Sequence, residues 1–186
     1  RSSGQSSPKI KEFIGDVLQL ENFKNDFTAD EVFCCVGTTS AKTSDKELYV
    51  AIDFGIPSRA AKLAKENDIP TFMVISSMGA NASSKIFYSR TKGEMEQAVL
   101  DQKIPNTYIL RPSLILGERG ERRMGENIGA SLMKLADPLL RGKAKKYRAI
   151  KADTIAAAMI NLAKSEHKEQ IVPSDVIQDF GKAQNM

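Results

Sequence analysis

Three dense apolar runs constrain this chain more than any other feature. Glu31 to Val36 (EVFCCV), Thr71 to Ile75 (TFMVI) and Asn106 to Leu110 (NTYIL) are rich in β-branched and aromatic residues. They do not alternate with polar residues, so each reads as a strand buried on both faces. Each is stopped abruptly, by Gly37-Thr38-Thr39, by Ser76-Ser77 with Gly79 beyond, and by Arg111-Pro112. Between them lie segments with helical periodicity. From about Asp45 to Asn67, the residues Ile52, Ile56, Ala60, Leu63 and Ala64 make one apolar face. Pro57 either kinks this helix or sits in its first turns after a short preceding helix. From Tyr88 to Gln102, Met95, Val99 and the aliphatic stem of Lys92 share a face. Buried strands separated by such helices predict an α/β fold: a mostly parallel, doubly wound sheet with helices on both faces. Ligands of these sheets bind beyond the carboxyl ends of the strands.

The flanking segments are less regular. Ile10 to Val17 reads as a short strand, and Asn22 to Phe27 as a brief helical segment or turn. Ile128, Leu132, Leu135 and Leu139 give helical spacing over Met124 to Leu140. Tyr147 to Ile150 reads as a short strand or extended link. Asp153 is placed to cap a helix from about Thr154 to Lys164. Gln170 to Ile177 (QIVPSDVI) reads as a late strand pair broken by Pro173, at a sheet edge. The whole, residues 1–186, is expected to form a single domain, with small substrate-side elements over 113–186.

Composition narrows the functional classes. A formal net charge of +4, with basic and acidic residues mixed, favours anionic ligands but supplies no arginine-rich stripe. No nucleic-acid partner and no membrane partner is expected. The basic clusters at 119–123 and 141–148 read as solvated loop and helix faces. One histidine and two adjacent cysteines, Cys34 and Cys35, make no zinc signature. On a strand these cysteines point to opposite faces and do not pair. That usage suits a reducing compartment, and a cytoplasmic location is the expectation.

The chemistry concentrates in Tyr88-Ser-Arg-Thr-Lys92. A phenol and an ammonium four residues apart lie on one face of a helix. Tyrosine, with a reference pKa near 10, is a poor acid or base at neutral pH. A neighbouring lysine stabilises the phenolate and brings the phenol toward the useful range. Ser77, at the mouth of the preceding strand, is placed to orient a carbonyl oxygen beside the tyrosine. The spacing Tyr-x-x-x-Lys is common in helices; its position after a strand ending in Ser-Ser gives it weight.

With these residues in view, the chain resembles the short-chain dehydrogenase/reductase superfamily, in its atypical branch, and within that the Tat-interacting-protein oxidoreductase-like group. The matching pieces are CCVGTTSAK (34–42), VISSMGA (74–80), YSRTKGEMEQAV (88–99), YILRPSLILGER (108–119) and AIKADTIAAAMI (149–160), in the family's order. The resemblance implies a Rossmann-type fold that binds NADP or NAD. It implies Tyr88 as catalytic acid/base, Lys92 on the nicotinamide ribose, and Ser77 as the substrate-orienting serine, with Ser76 the alternative. It implies Val36, Gly37 and Thr38 along the adenosine and ribose side. Asp16 and Val17 match the position that meets the adenine, and Arg111, Pro112 and Ser113 the stretch beside the nicotinamide.

One part of the family pattern has no counterpart. The family opens with a strand and a glycine-rich turn that receives the pyrophosphate at a helix N-terminus. Gly4 and Gly15 have neither its spacing nor its context. By correspondence, the first strand-helix-strand unit lies outside the chain as it stands. Either the sequence lacks the front of a normal protein, which is the favoured account, or the protein is short and its sheet lacks a central strand. Under the first account Arg1 sits near the end of the family's second strand, where a basic residue meets the 2′-phosphate of NADP. NADP is therefore preferred, with NAD the alternative. The function expected is an NADPH-dependent oxidoreductase, carbonyl reductase-like, acting on a small carbonyl substrate. The alternative is an NAD(P)-binding regulatory or protein-interaction protein with little turnover. Residues 117–140 are the expected pocket cover, and both monomer and dimer remain open.

Overall fold

The computed structural model describes residues 2, 4, 5, 7–116 and 142–182. Four parallel strands form its main sheet: β1 (Glu31–Cys34), β2 (Thr71–Ile75), β3 (Asn106–Arg111) and β6 (Ile171–Pro173), in the order β1-β2-β3-β6. Register pairs Cys34 with Val74, Val74 with Ile109, and Leu110 with Val172. A two-stranded parallel ribbon, β4 (Ile115–Leu116) with β5 (Ile150–Lys151), stands beside it.

The period-two geometry of the strands sends consecutive side chains to opposite faces. Phe72 and Val74 of β2 go to one core with Cys34, Ala60, Ala61, Ala64, Met95, Val99 and Ile109. This face is covered by α2 (Ile56–Glu66) and α3 (Phe87–Leu100). Met73 goes to the other core with Tyr108, Leu110, Ile155, Ala158, Met159, Leu162, Val172 and Ile177. That face is covered by α4 (Ala152–Ala163) and α5 (Ser174–Lys182). The sheet is thus wound on both sides, the α/β Rossmann-type architecture that the buried runs predict. The alanines of α2 let its backbone approach the sheet closely. The adjacent cysteines separate as the pleat requires: Cys34 is buried, Cys35 exposed, and both are free thiols.

The long helix expected over 45–67 is one rod with an irregular middle. Asp45 caps α1 (Lys46–Val50), accepting from the N–H groups of Glu47 and Leu48 at 2.8 and 3.1 Å. Residues Ala51–Gly55 form a π turn, in which the N–H of Ile56 reaches back to Ala51 O. Pro57 stands in the first turn of α2 and has no N–H to return to the preceding turn. The wider π turn accommodates that loss.

Several local expectations need correction. Ile10 to Val17 forms no strand; a 3-10 segment runs from Val17 to Phe23, with Asp16 accepting from the N–H of Leu18. Too few residues there alternate to hold a sheet register. Gln170 to Ile177 is not a strand pair: β6 ends at Pro173 and α5 starts at Ser174. Ser-Asp after a proline is a helix start, and Val176, Ile177 and Phe180 recur at helical spacing. The chain before β5 is a 3-10 segment, Gly142–Tyr147, so only Ile150 and Lys151 are strand. α4 begins two residues earlier than expected, with Lys151 at its cap position and Asp153 inside the first turn, where its charge favours the helix dipole. The helix expected over 124–140, and the basic cluster at 119–123, lie outside the described residues.

Candidate active site

At the carboxyl ends of β1 and β2 the chain leaves a cavity of about 890 Å³, within the range of small-molecule sites. One wall is polar. It is built from Cys35 to Thr39 after β1, Asp53 on the π turn, Ser76 after β2, and Tyr88 and Lys92 on α3. The facing wall is apolar, with Ile115, Ile155, Ala156, Met159 and Ile160.

Tyr88 and Lys92 lie one turn apart on α3, as their spacing requires, and both reach this cavity. Tyr88 is half-exposed, at 41%. Lys92 is 6% exposed and Asp53 only 1%. They form an ion pair with Nζ 2.6 Å from Oδ1. The second carboxylate oxygen of Asp53 accepts the N–H of Thr38 at 2.7 Å. The Lys92 ammonium is thereby fixed in position between α3 and the π turn.

Gly37 sits beside this pair. A Cβ built there would stand 3.4 Å from Asp53 Oδ1 and 3.8 Å from Lys92 Nζ. The bare glycine keeps the approach to the pair open from the cavity.

A second buried acid lies behind the first. Glu96, 3% exposed on α3, accepts the hydroxyl of Ser76 at 2.5 Å. It also takes both arms of Arg111, with Nε at 3.0 Å and NH2 at 2.5 Å. This fork raises the guanidinium above its ordinary range. The acid therefore joins the ends of β2 and β3 to α3.

Of the residues singled out in the sequence, Val36, Gly37, Thr38, Ser76, Tyr88 and Lys92 line the cavity. Ser77 does not line it; its hydroxyl is buried with no hydrogen-bond partner among the described residues. Arg111 is committed to Glu96. Pro112 is buried, and its carbonyl accepts the N–H of Met78 at 3.1 Å. Ser113 donates to the carbonyl of Arg148 and receives the hydroxyl of Ser174 at 3.1 Å. Asp16 and Val17 are exposed and lie away from the cavity; Val17 borders a small separate recess with Phe13, Leu20, Phe23 and Phe27. Arg1 is outside the described residues.

Asp53 and Glu96 were not singled out in the sequence, nor was the α4 wall. Each acid interrupts an apolar helical stripe: Asp53 falls between Tyr49 and Ile56, and Glu96 between Lys92 and Val99. A carboxylate on a face destined for the core requires a partner, and that was the available signal.

No family model matches the chain. It is 35% identical over 133 residues to "Protein FMP52, mitochondrial" of Debaryomyces hansenii, an alignment covering 70% of this chain and 58% of that protein. It is 28% identical over 177 residues to "Protein HTATIP2" of Rattus norvegicus, covering 93% and 71% respectively. The matches span between 37% and 58% of the length of the yeast relatives. Among solved structures, L-threonine 3-dehydrogenase from Trypanosoma brucei superposes with a TM-score of 0.62 at 13% identity, covering 87% of this chain and 61% of that one. MoeE5, solved in complex with UDP-glucose and NAD, gives 0.61 at 14% identity, covering 94% and 69%. These likenesses show a shared Rossmann-type fold.

The expectation of a cytoplasmic location is corrected here. It rested on cysteine usage, which separates reducing from oxidising surroundings and carries no organelle address, whereas the yeast relatives are named as mitochondrial proteins. Among the described residues no helix is long and apolar enough to cross a membrane. The rat relative, the shared fold and the Tyr88–Lys92 segment in its place on α3 agree with the five family segments of the sequence, and together they support the resemblance to the atypical branch of the short-chain dehydrogenase/reductase superfamily and its Tat-interacting-protein oxidoreductase-like group.

Proposed function

We propose that this protein is an NADPH-dependent oxidoreductase that reduces a small carbonyl compound, with Tyr88 as proton donor. The observation that carries the reading is the buried Lys92–Asp53 pair beside Tyr88 on one cavity wall. A lysine held there by a carboxylate has a fixed place from which to stabilise a phenolate and to meet the hydroxyls of a ribose.

The residues present fit the nicotinamide–ribose half of such a cofactor. Gly37 leaves the ion pair open to the cavity, and Val36, Thr38, Ser76, Tyr88 and Lys92 border the same space. The backbone of Ser113 would be left to hold the carboxamide, since the side chains of Arg111 and Ser113 and the carbonyl of Pro112 are already engaged. The described residues contain no glycine-rich cradle for the pyrophosphate. When bound, the reduced nicotinamide supplies the hydride that attacks the carbonyl carbon. Tyr88 gives its proton to the carbonyl oxygen as the C–O bond becomes an alcohol, and Lys92 stabilises the phenolate left behind. Tyr88 is open enough to solvent to regain a proton afterwards. The hydroxyl of Ser76 lines the cavity but is held by Glu96; that of Ser77 has no partner among the described residues, and it would have to turn from behind the cavity wall to orient the carbonyl.

The net charge of +4 supports NADP over NAD, and the names of the yeast relatives support a mitochondrial location. The test is fluorescence titration of the full-length protein with NADPH and NADH, followed by a panel of aldehydes and ketones. Tyr88→Phe is expected to lower kcat by at least about 100-fold while cofactor binding persists. Full reductase activity in that variant removes Tyr88 as the acid. Tight cofactor binding with no turnover on any carbonyl would instead favour a regulatory, cofactor-sensing protein.

A further inference from the structure

Tyr49 carries a polar atom that the centre described above does not use. The residue is 1% exposed, and its hydroxyl is buried with no hydrogen-bond partner among the described residues. Buried hydroxyls are almost always matched, so an unmatched one beside a reaction centre asks for a role.

Two helix registers fix its place. Tyr49 and Asp53 are four residues apart along α1 and the π turn, and Tyr88 and Lys92 are four apart along α3. The Lys92–Asp53 ion pair joins the two rods at one rung. At the preceding rung the Tyr49 ring packs on Phe87, the residue beside Tyr88, with centroids 5.3 Å apart. The phenol of Tyr49 is thus carried toward the Tyr88 end of α3, although in this structure the two hydroxyls are not hydrogen-bonded to each other. Burial pushes this phenol above its usual range, and the negative charges of Asp53 and of an ionised Tyr88 add to the effect. Tyr49 therefore remains a neutral O–H donor at any pH at which the protein works.

We propose that Tyr49 is a positioning residue of this centre, its O–H supplying the hydrogen bond that, with the Lys92 ammonium, stabilises the Tyr88 oxygen once it has given up its proton. The inference rests on the reading of Tyr88 as proton donor. The titratable groups that border the cavity with Tyr88 are Lys92 on its own helix, Asp53 from the adjoining rod, and Cys35 and Lys42 from the loop after β1, and Tyr49 stands close enough behind them for the charge of an ionised Tyr88 to act on it. Of these, Tyr49 is the neutral phenol whose O–H is buried and unmatched.

Carbon-13 NMR of Cζ-labelled tyrosine follows each phenol's ionisation without any turnover. The chain has four tyrosines, which single Tyr→Phe variants assign. In the full-length protein Tyr49→Phe is expected to raise the pKa of Tyr88 by about one unit. It should move the corresponding limb of the kcat/KM pH profile equally and leave the NADPH dissociation constant unchanged. Placing 3-fluorotyrosine at position 49, a stronger donor of nearly the same size, should shift Tyr88 the opposite way, and it keeps the test open if the phenylalanine variant fails to fold. A Tyr88 pKa that moves less than about 0.2 units under both perturbations overturns the proposal. The expected shift without turnover on any carbonyl upholds the hydrogen bond and counts against the reductase reading. Turnover untouched by Tyr88→Phe removes both.

Discussion

Replacing Asp53 by asparagine isolates the charge that holds Lys92. The native carboxylate is 1% exposed and makes two contacts, one to Lys92 Nζ at 2.6 Å and one to the N–H of Thr38 at 2.7 Å. Asparagine preserves the volume and one acceptor oxygen. It removes the negative charge and leaves an ammonium unpaired in a site where little water reaches it. Taking one partner from a buried pair costs about 3–5 kcal/mol. Lys92 borders the cavity, so its head can turn partly toward solvent, and the lower end, about 3 kcal/mol, is expected. For a chain of this size that lowers Tm by about 6–12 °C. Urea unfolding of the full-length protein measures the loss directly. Lys92→Met, which strands the acid instead, should cost a similar amount. The double variant should cost less than the sum of the two, with a coupling of about 2 kcal/mol. Because the pair is buried, the loss should persist in high salt, unlike that of a surface pair. Single losses below about 1 kcal/mol, or losses that simply add, would show that the pair does not hold the centre together.

Two further predictions concern the ground beneath the site. Burial pushes the Cys34 thiol up to about 11 from an ordinary 9.0. A raised folded-state value means that the contribution is whole below pH 9.0 and is lost as pH climbs toward 11, about 2–3 kcal/mol in all. Urea midpoints of Cys34→Ala between pH 8 and 11 should start lower and fall less steeply than those of the parent, and parallel curves would refute the assignment. Gly93→Ala should destabilise by about 3 kcal/mol, against the gain of about 1 kcal/mol that the same change brings in an ordinary helix. A Cβ there would lie 2.1 Å from Ala82 N and 2.3 Å from the carbonyl carbon of Asn81. A gain in Tm would show that the 81–82 loop does not press on α3.

The parts of the fold legible in the sequence are those where burial is total. The runs at 31–36, 71–75 and 106–110 could satisfy their side chains only between two helical layers, and they occupy β1, β2 and β3. Tyr88 and Lys92 were legible because helix geometry alone brings residues four apart together. Asp53 was hidden because its partners come from elsewhere: Lys92 is 39 positions away and Thr38 15. The π turn that presents it follows from Pro57, whose missing N–H the sequence announces without saying whether the helix kinks or widens. Of the strand pair expected over 170–177, the first half stands as β6 at the sheet edge, and the second failed because Pro173 was read as an interruption between strands, although Ser174 and Asp175 start a helix after it. The apolar wall on α4 could not be read at all, because a helix that covers a sheet and a helix that also lines a cavity share one pattern of buried residues.

The polar groups of this site divide into those already satisfied and those left over, and the division assigns their roles. Both buried acids are saturated by the chain itself. Asp53 holds an ammonium and a backbone N–H, and Glu96 holds a guanidinium and a serine hydroxyl. Ser113 is likewise spent, between Arg148 and Ser174. Among the described residues around the centre, the hydroxyls of Tyr49 and Ser77 are buried without partners, and Tyr88 stands half-exposed on the cavity wall. A centre whose charges neutralise each other and whose spare groups are neutral O–H donors suits a substrate that starts neutral and acquires negative charge on oxygen only in the transition state. Such donors pay little to lose water in the resting site, and they gain most when that charge develops. Substitutions of the acids should therefore appear first in unfolding free energy, and substitutions of the hydroxyls first in the pH dependence and rate of turnover. A centre evolved to grip a permanently anionic ligand would show the reverse, with a cation free of its carboxylate.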